Sequence, residues 1–413
     1  MMERCGICMN VTINPGKFEG TIRGIASKSM LHRMLFCAAC CSGQTVIQYE
    51  GLCDDVFATV GAIEALGARV MVGEHVLEVK PPKQLKTIIR RPVDCKESGS
   101  TLRFFLPIAA AKTRRVTITG QGRLPERPMD DLLKSLIVNG KQIKTTRLPI
   151  TMTGEISGRE FVVPGNVSSQ YLSGLLMMAP LLNDDIIIKC DTKLESEPYV
   201  EMTMHVMEQF GVCVEKEGQQ YRVAKESGYR SPGEIQVEND WSNAAFFLVA
   251  NALGQSIEIP YLYENSVQGD RQILDLIAQI QENRSRIIDL SQVPDLAVPL
   301  AVLAAATPGL TEMVHGERLR LKESDRIHTI AQLILSLGGK AKETEDGLLI
   351  EGTQLRGGAV YSYNDHRIVM AAGIAAGVCK KPVAIIGAEA VNKSYPYFFE
   401  ELKSIGGILT WEN

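Results

Sequence analysis

The sequence predicts two similar α/β domains, and three observations carry that expectation. At 413 residues and 45.3 kDa the chain exceeds what one hydrophobic core usually encloses, so two domains of roughly 200 residues are expected. Six times, a helical run rich in Ala and Leu leads through a polar or Gly turn into a short β-type strand: TVIQYEG, RVTITGQG, DIIIKCD, QSIEIPYL, LTEMVHG and PVAIIGA. The first residues of these strands, Thr45, Arg115, Asp185, Gln255, Leu310 and Pro382, stand 70, 70, 70, 55 and 72 positions apart. Within most units a second, amphipathic helix ends at Gly, the usual left-handed helix stop, and passes into another strand, as in EALGARVMV, EQFGVCVEK and LILSLGGKAK. A unit near 70 residues is too large for a solenoid repeat, and six such units divide into three plus three.

The elements follow in order from local pattern. Ile327, Ile330, Ala331, Ile334 and Leu337 form one apolar stripe and predict a helix from about Asp325 to Gly338. Leu296 to Ala306 and Ile368 to Cys379 are apolar throughout but fall short of the ~20 residues that span a bilayer, so they read as buried core helices. Asn14 to Gly20 and Ser227 to Glu234, rich in Gly, Pro or Ser, are the candidate links between the halves. A ligand cleft between two such halves is the default expectation.

Composition narrows the partners. With 44 Lys+Arg against 48 Asp+Glu, the formal charge of −4 offers no global attraction to nucleic acid or an anionic membrane, so any anion site is local. Met1 to Gly16 places an acid, an Asn and a Pro where a signal peptide needs an apolar run, and a cytoplasmic location is expected. The Cys-x-x-Cys pairs Cys5/Cys8 and Cys37/Cys40 raise the question of zinc. Cys37, Cys40 and Cys41, however, share a helical face on which Cys acts as a small hydrophobe, and no metal is expected. Neither a Rossmann glycine fingerprint nor a Walker sequence is present, so no nucleotide cofactor is indicated.

Chemistry concentrates at helix starts. Ser27, Lys28 and Ser29 open one helix, with Arg33 a turn further on; Ser98, Gly99 and Ser100 open another; Ser168, Ser169 and Gln170 open a third. Free N–H groups, hydroxyls and cations at such places suit a phosphate, although each also reads as a plain cap. Lys322 and Arg326, four apart, share a face beside Glu323, a carboxylate that can act as acid or base or simply lie in a solvated run. Asp365 and Arg367 precede a small-residue helix, while Asp295 before LAVPLAVLAAA is either an N-cap or a catalytic acid. Arg127 and Lys393 look like ordinary surface cations by themselves. Recurrence of cationic, Ser/Gly-rich helix starts in both halves of an acidic chain points to one cleft that collects several negative groups.

The ordered motifs SKSMLHR, ESGSTLR, ERP, VSSQYLSGLLM, ESEPYVEMT, NSVQGD, VPD, LKESDR, YNDHR and NKSYP closely resemble the 5-enolpyruvylshikimate-3-phosphate synthase family, nearly end to end. The resemblance implies two inside-out α/β barrel domains, each of three βαβαββ repeats, with a substrate cleft between them. It also implies that the chain starts in one domain, crosses to build the other and returns, giving one domain of residues 1–20 and 231–413 and another of residues 21–230. The activity implied is transfer of the enolpyruvyl group of phosphoenolpyruvate to the 5-hydroxyl of shikimate 3-phosphate. Carried over by motif, the shikimate 3-phosphate contacts are Lys28, Ser29, Arg33, Ser168, Ser169, Gln170, Ser196, Asp295 and Lys322. Those to phosphoenolpyruvate are Lys28, Gly99, Arg127, Gln170, Arg326, Arg367 and Lys393. Asp295 and Glu323 look like the proton-transfer pair, with Lys28 beside them as a catalytic cation. A monomer without metal or cofactor, binding neither nucleic acid nor membrane, is expected.

Departures from the family pattern are Glu97 where many members have Asn, Phe104 where Pro follows the arginine, and Arg318 where Asn precedes LRLKESDR. Two other readings compete. The sister transferase acting on UDP-N-acetylglucosamine normally carries a reactive Cys before an Arg-Pro pair, and Thr119 to Pro128 contains none. A non-catalytic anion-binding scaffold would need the cations but no proton-transfer carboxylates.

Overall fold

The computed structural model describes residues 9–282 and 286–412. Cys5 and Cys8 lie outside the described residues. The described chain forms two compact units, one from Ala26 to Glu238 and one from the residues up to Ile25 together with those from Asn239 onward. Six helices fall in the first of these: α1 (Lys28–Cys40), α2 (Asp54–Ala65), α3 (Gly99–Lys112), α4 (Asp130–Val138), α5 (Ser169–Met178) and α6 (Glu197–Gln209). Six fall in the other: α7 (Trp241–Ala252), α8 (Ile273–Gln281), α9 (Ala297–Ala306), α10 (Arg326–Ser336), α11 (His366–Ala375) and α12 (Phe398–Ser404).

Alternate helices differ in kind, and the difference gives the layering of each unit. In α9 every residue from Ala297 to Ala305 is buried, and in α11 every residue from His366 to Ala375. Helices apolar all round cannot lie on a surface. Accordingly α1, α3 and α5 pack together in one unit, and α7, α9 and α11 in the other. The intervening helices bury one stripe only. In α8 it is Ile273, Leu276 and Ile280, and in α10 it includes Ile327, Ile330, Ala331 and Ile334. No helix among the described residues is long and apolar enough to cross a membrane.

The sheets show the repeat. Among the described residues five of the six have four strands, each with a parallel edge strand; in four of them the neighbouring strand pairs antiparallel with a hairpin, and in the fifth the antiparallel pair is made by strands from opposite ends of the chain. One example is Glu160–Val163, parallel to Ile186–Cys190, which then pairs antiparallel with Gln220–Val223. Among the described residues the sixth holds only Glu19–Thr21 and Ser256–Glu258, and the repeat containing α7 and α8 shows no closing hairpin. This accounts for the single 55-residue interval and reduces that unit to two complete βαβαββ repeats and one shortened one.

Both units are completed by strands distant in sequence. Asn10–Ile13 lies between Val383–Ile386 and Leu409–Glu412, antiparallel to each, and Glu234–Gln236 runs parallel to Thr45–Gln48. The Gly- and Pro-rich segments taken as links are turns within units. Glu19–Thr21 is already paired, Ile22 N donates to Glu258 O, and Glu234–Gln236 belongs to a sheet. By compact unit the chain changes over at residues 25/26 and 238/239, where the family resemblance implies 20/21 and 230/231.

Candidate active site

In the unit from Ala26 to Glu238, the helix starts singled out by sequence carry their polar groups together. Ser27 caps α1 by accepting from Met30 N, Ser98 caps α3 from Thr101 N, and Ser168 caps α5 from Gln170 N. The caps are real, but they use the residue before the helix and leave its first turn to other partners. Lys28 Nζ lies 3.0 Å from Asp55 Oδ2, both side chains mostly buried. Gln170 accepts from Arg103 Nη1 at 2.7 Å and donates to Ser100 Oγ at 2.8 Å, joining the starts of α3 and α5. A Cβ at Gly99 would stand 2.8 Å from Arg127 Nη1 and 3.2 Å from Arg103 Nη1, so the bare glycine is what lets two guanidinium groups close on that helix start. Ser169 and Ser196 are buried, Ser196 with a left-handed φ of 54° at the start of α6.

Arg33 lies deeper than a surface cation. Its guanidinium donates to Thr203 Oγ1 (2.7 Å), Ser29 O (2.7 Å), Tyr199 O (2.9 Å) and Ser173 Oγ (3.5 Å), and burial brings its pKa down to about 10. It also stands 4.9 Å over the ring of Phe104, so the aromatic that replaces the family's Pro supplies a cation–π contact.

In the other unit, one arginine gathers the carboxylates. Arg326 is 1% exposed, and its guanidinium reaches Asp365 Oδ2 (2.8 Å), Asp295 Oδ1 (2.9 Å) and Glu323 Oε2 (2.6 Å). Asp295 also meets Lys322 Nζ at 3.5 Å and Arg367 Nη2 at 3.3 Å. Asp295 is not the residue that stands at the N-cap of α9, which is Leu296; it sits in the turn Pro294–Leu296 and turns its carboxylate to three cations. Burial by itself would raise its pKa; Arg367, Lys322 and Arg326 outweigh burial and hold it well below the usual carboxylate range. Asp365, fully buried, caps α11 through Arg367 N and is likewise kept low, chiefly by Arg326 against the effect of burial. Lys322 and Arg326 do converge, though not along one helical face. Asp325 caps α10 by accepting from His328 N, so Lys322 precedes the helix. Lys393 Nζ donates to Asn364 O at 2.7 Å, tying it to the turn before Arg367.

Two participants escaped the sequence reading, and a third was legible only as a cap. Arg103 lies four residues beyond Gly99 on α3, a spacing that puts both on one side and could have marked it. Asp55, the partner of Lys28, is recruited from another helix and nothing local signals it, while Asp365 is legible as the cap of α11 but not as the partner of Arg326. Of the departures, Arg318 donates to Ser291 O at 2.7 Å, and Glu97 lies over Gly122, where a Cβ would come within 2.5 Å of its carboxylate.

A family model described as EPSP synthase (3-phosphoshikimate 1-carboxyvinyltransferase) matches residues 13–402. The chain belongs to the EPSP synthase family. Among curated relatives, a 3-phosphoshikimate 1-carboxyvinyltransferase of Clostridium perfringens is 39% identical over 423 residues, covering 97% of this chain and 99% of its own. One from Clostridium kluyveri is 40% identical over 419 residues, covering 96% and 97%. A solved structure of EPSP synthase from Acinetobacter baumannii superposes with a TM-score of 0.80 at 23% identity, over 98% of this chain and 100% of that one. The EPSP synthase fold, two α/β domains built on threefold repeats, is therefore the fold of this chain.

Proposed function

We propose that the chain transfers the enolpyruvyl group of phosphoenolpyruvate to the 5-hydroxyl of shikimate 3-phosphate, releasing phosphate, as a step in aromatic amino acid biosynthesis. The observation that carries the reading is the pair Asp295 and Glu323, both bound to Arg326 among cations that an anionic substrate can claim. In the addition step the 5-oxygen bonds to C2 of phosphoenolpyruvate, the hydroxyl proton leaves to a carboxylate, and C3 gains a proton. In the elimination step C3 gives up a proton, the double bond re-forms, and phosphate departs with the electrons of its C–O bond. Asp295, held ionised, suits the proton acceptor, and Glu323 suits the donor to C3.

Substrate binding tunes this chemistry. Lys322, Arg326 and Arg367 face Asp295, Glu323 and Asp365, so the cationic charge is balanced by carboxylates. Phosphoenolpyruvate competes for the same cations. As Arg326 and Arg367 turn to it, burial is left as the main influence on Asp295 and raises its affinity for a proton when the hydroxyl must lose one. Lys28, Gly99, Arg127 and Gln170 complete the phosphoenolpyruvate contacts, while Lys28, Ser29, Arg33, Ser168, Ser169, Gln170, Ser196, Asp295 and Lys322 hold shikimate 3-phosphate. The same reading makes the protein a cytoplasmic monomer that needs no metal.

Phosphate release measured with purified protein, phosphoenolpyruvate and either acceptor tests the proposal. Turnover with shikimate 3-phosphate and none with UDP-N-acetylglucosamine is expected. Turnover with the UDP-sugar alone would transfer the chain to the sister activity, and ligand-dependent stabilisation without turnover would make it a scaffold.

A further inference from the structure

α10 and α11 both begin at the carboxylate–cation cluster, and both end beside a groove of about 570 Å³ whose walls include Lys340, Thr353, Arg356, Lys380 and Lys381. At 1.5 Å per residue, the eleven residues of α10 place this groove on the order of 15 Å from Arg326. It is therefore separate from the site described above.

Helix C-termini attract cations, so some positive charge here is ordinary. The arithmetic exceeds that need. Two helix ends together present about one negative charge. Lys340 is matched by Glu351 at 2.7 Å, whereas Arg356, Lys380 and Lys381 make no ion pair within 4 Å among the described residues. Three uncompensated cations against about one charge leave an excess of about two. The backbone holds them in place: Arg356 N donates to Leu337 O at 2.7 Å, Lys381 N to Arg356 O at 2.7 Å, and Lys380 N to Leu355 O at 3.3 Å. The Arg356 stem lies against Gly338, where a Cβ would meet its Cβ, Cγ and Cδ at 3.1–3.2 Å. Thr353 Oγ1 is buried in the wall with no hydrogen-bond partner among the described residues. Clefts also form beside α2 and α4 in the other unit: the first holds Lys86, Arg90 and Arg91 with apolar Ile88 and with Asp94, which pairs with Lys96 at 3.0 Å, and the second is acidic, with Asp131, Glu160 and Asp191. The cleft beside α2 is the cationic competitor that a binding test has to separate from the groove at the end of α10.

We propose that this groove is a second ligand site, for a small molecule bearing at least two phosphate or carboxylate charges, held by Arg356, Lys380 and Lys381. The proposal does not depend on the catalytic reading. Titration calorimetry of the full chain at about 50 mM salt, where screening is modest, with inorganic triphosphate and with citrate as probes, tests it. One equivalent of at least one probe should bind to the wild type and to Arg367→Ala. Affinity should fall about tenfold or more in Arg356→Ser/Lys381→Ser, as expected for lost charge-assisted contacts, with turnover of the main substrates unchanged. Preference for triphosphate would mark a phosphorylated ligand, and preference for citrate a polycarboxylate. If the double variant folds poorly, Lys380→Ser/Lys381→Ser replaces it. The proposal is overturned if neither probe binds at millimolar concentration or if the groove variants bind as the wild type does. Binding lost in Arg367→Ala or in Arg90→Ser/Arg91→Ser but kept in the groove variants would overturn it equally.

Discussion

Asp295 shows how much one side chain's role depends on what surrounds it. Asp295→Asn removes a proton acceptor yet leaves Lys322, Arg326 and Arg367 for the substrate, and Glu323→Gln keeps the shape of its bond to Arg326. Each should lower kcat by about 10² or more while affinity for both substrates changes far less, as loss of proton transfer requires. Steady-state kinetics set beside direct binding checks this, and equal losses in both would mean structural roles. His32 makes a pH-dependent contribution. It is fully buried on α1 with Nδ1 2.7 Å from Thr59 Oγ1, and burial, then Lys28 and Arg33, hold its pKa well below 6.5. The unfolded chain therefore binds a proton below pH 6.5 that the native state refuses, so stability falls as pH drops through and below 6.5, by up to about 1.4 kcal/mol per pH unit. His32→Asn should flatten that slope in urea titrations between pH 7 and pH 5; an unchanged slope would assign it elsewhere. Asp295 could be read from sequence as a cap or an acid, but its choice of three cations could not, because Lys322, Arg326 and Arg367 come from two different helix starts.

At the scale of the helix, the start of α3 is where sequence and site meet most directly. Gly99 is in the first turn, its φ is not left-handed, and the groups a Cβ would strike are the mobile ends of Arg127 and Arg103. Gly99→Ala should thus leave the melting temperature unchanged or slightly higher, since Ala is the better helix former, while raising KM for phosphoenolpyruvate about tenfold as the guanidinium groups are displaced. Arg127→Ala should weaken phosphoenolpyruvate binding by about 1.5–3 kcal/mol, the loss of one charge-assisted contact. Thermal melts and titrations of both variants decide, and an unaltered affinity would remove Arg127 from the site. The Ser and Asp caps were legible because a cap acts within three residues of itself. Arg103 was less so: its bonds to Gln170 and to Pro128 O bridge segments far apart in the chain.

For the molecule as a whole, the decisive feature is that each unit is closed by chain from elsewhere. Asn10–Ile13 is a central strand paired on both sides, with Val11 and Ile13 buried, so removing it leaves two strands facing an empty place and opens the core above them. Truncation through Ile13 should abolish cooperative unfolding of that unit while the unit from Ala26 to Glu238 keeps its own transition. Calorimetry should show one transition lost; two intact transitions would contradict the structural role given to the strand.

The residues by themselves determined the repeat, the helix starts and the family, because those depend on periodicity, caps and motif order within short stretches of chain. Position in the sequence also betrayed the shortened repeat, through its 55-residue interval, though not which strands were missing. Only the folded units decided where the chain crosses, which carboxylate neutralises which cation, and that Arg33 and Arg326 are buried. Those outcomes turn on desolvation and on partners brought from distant segments, and neither quantity exists until the helices are packed.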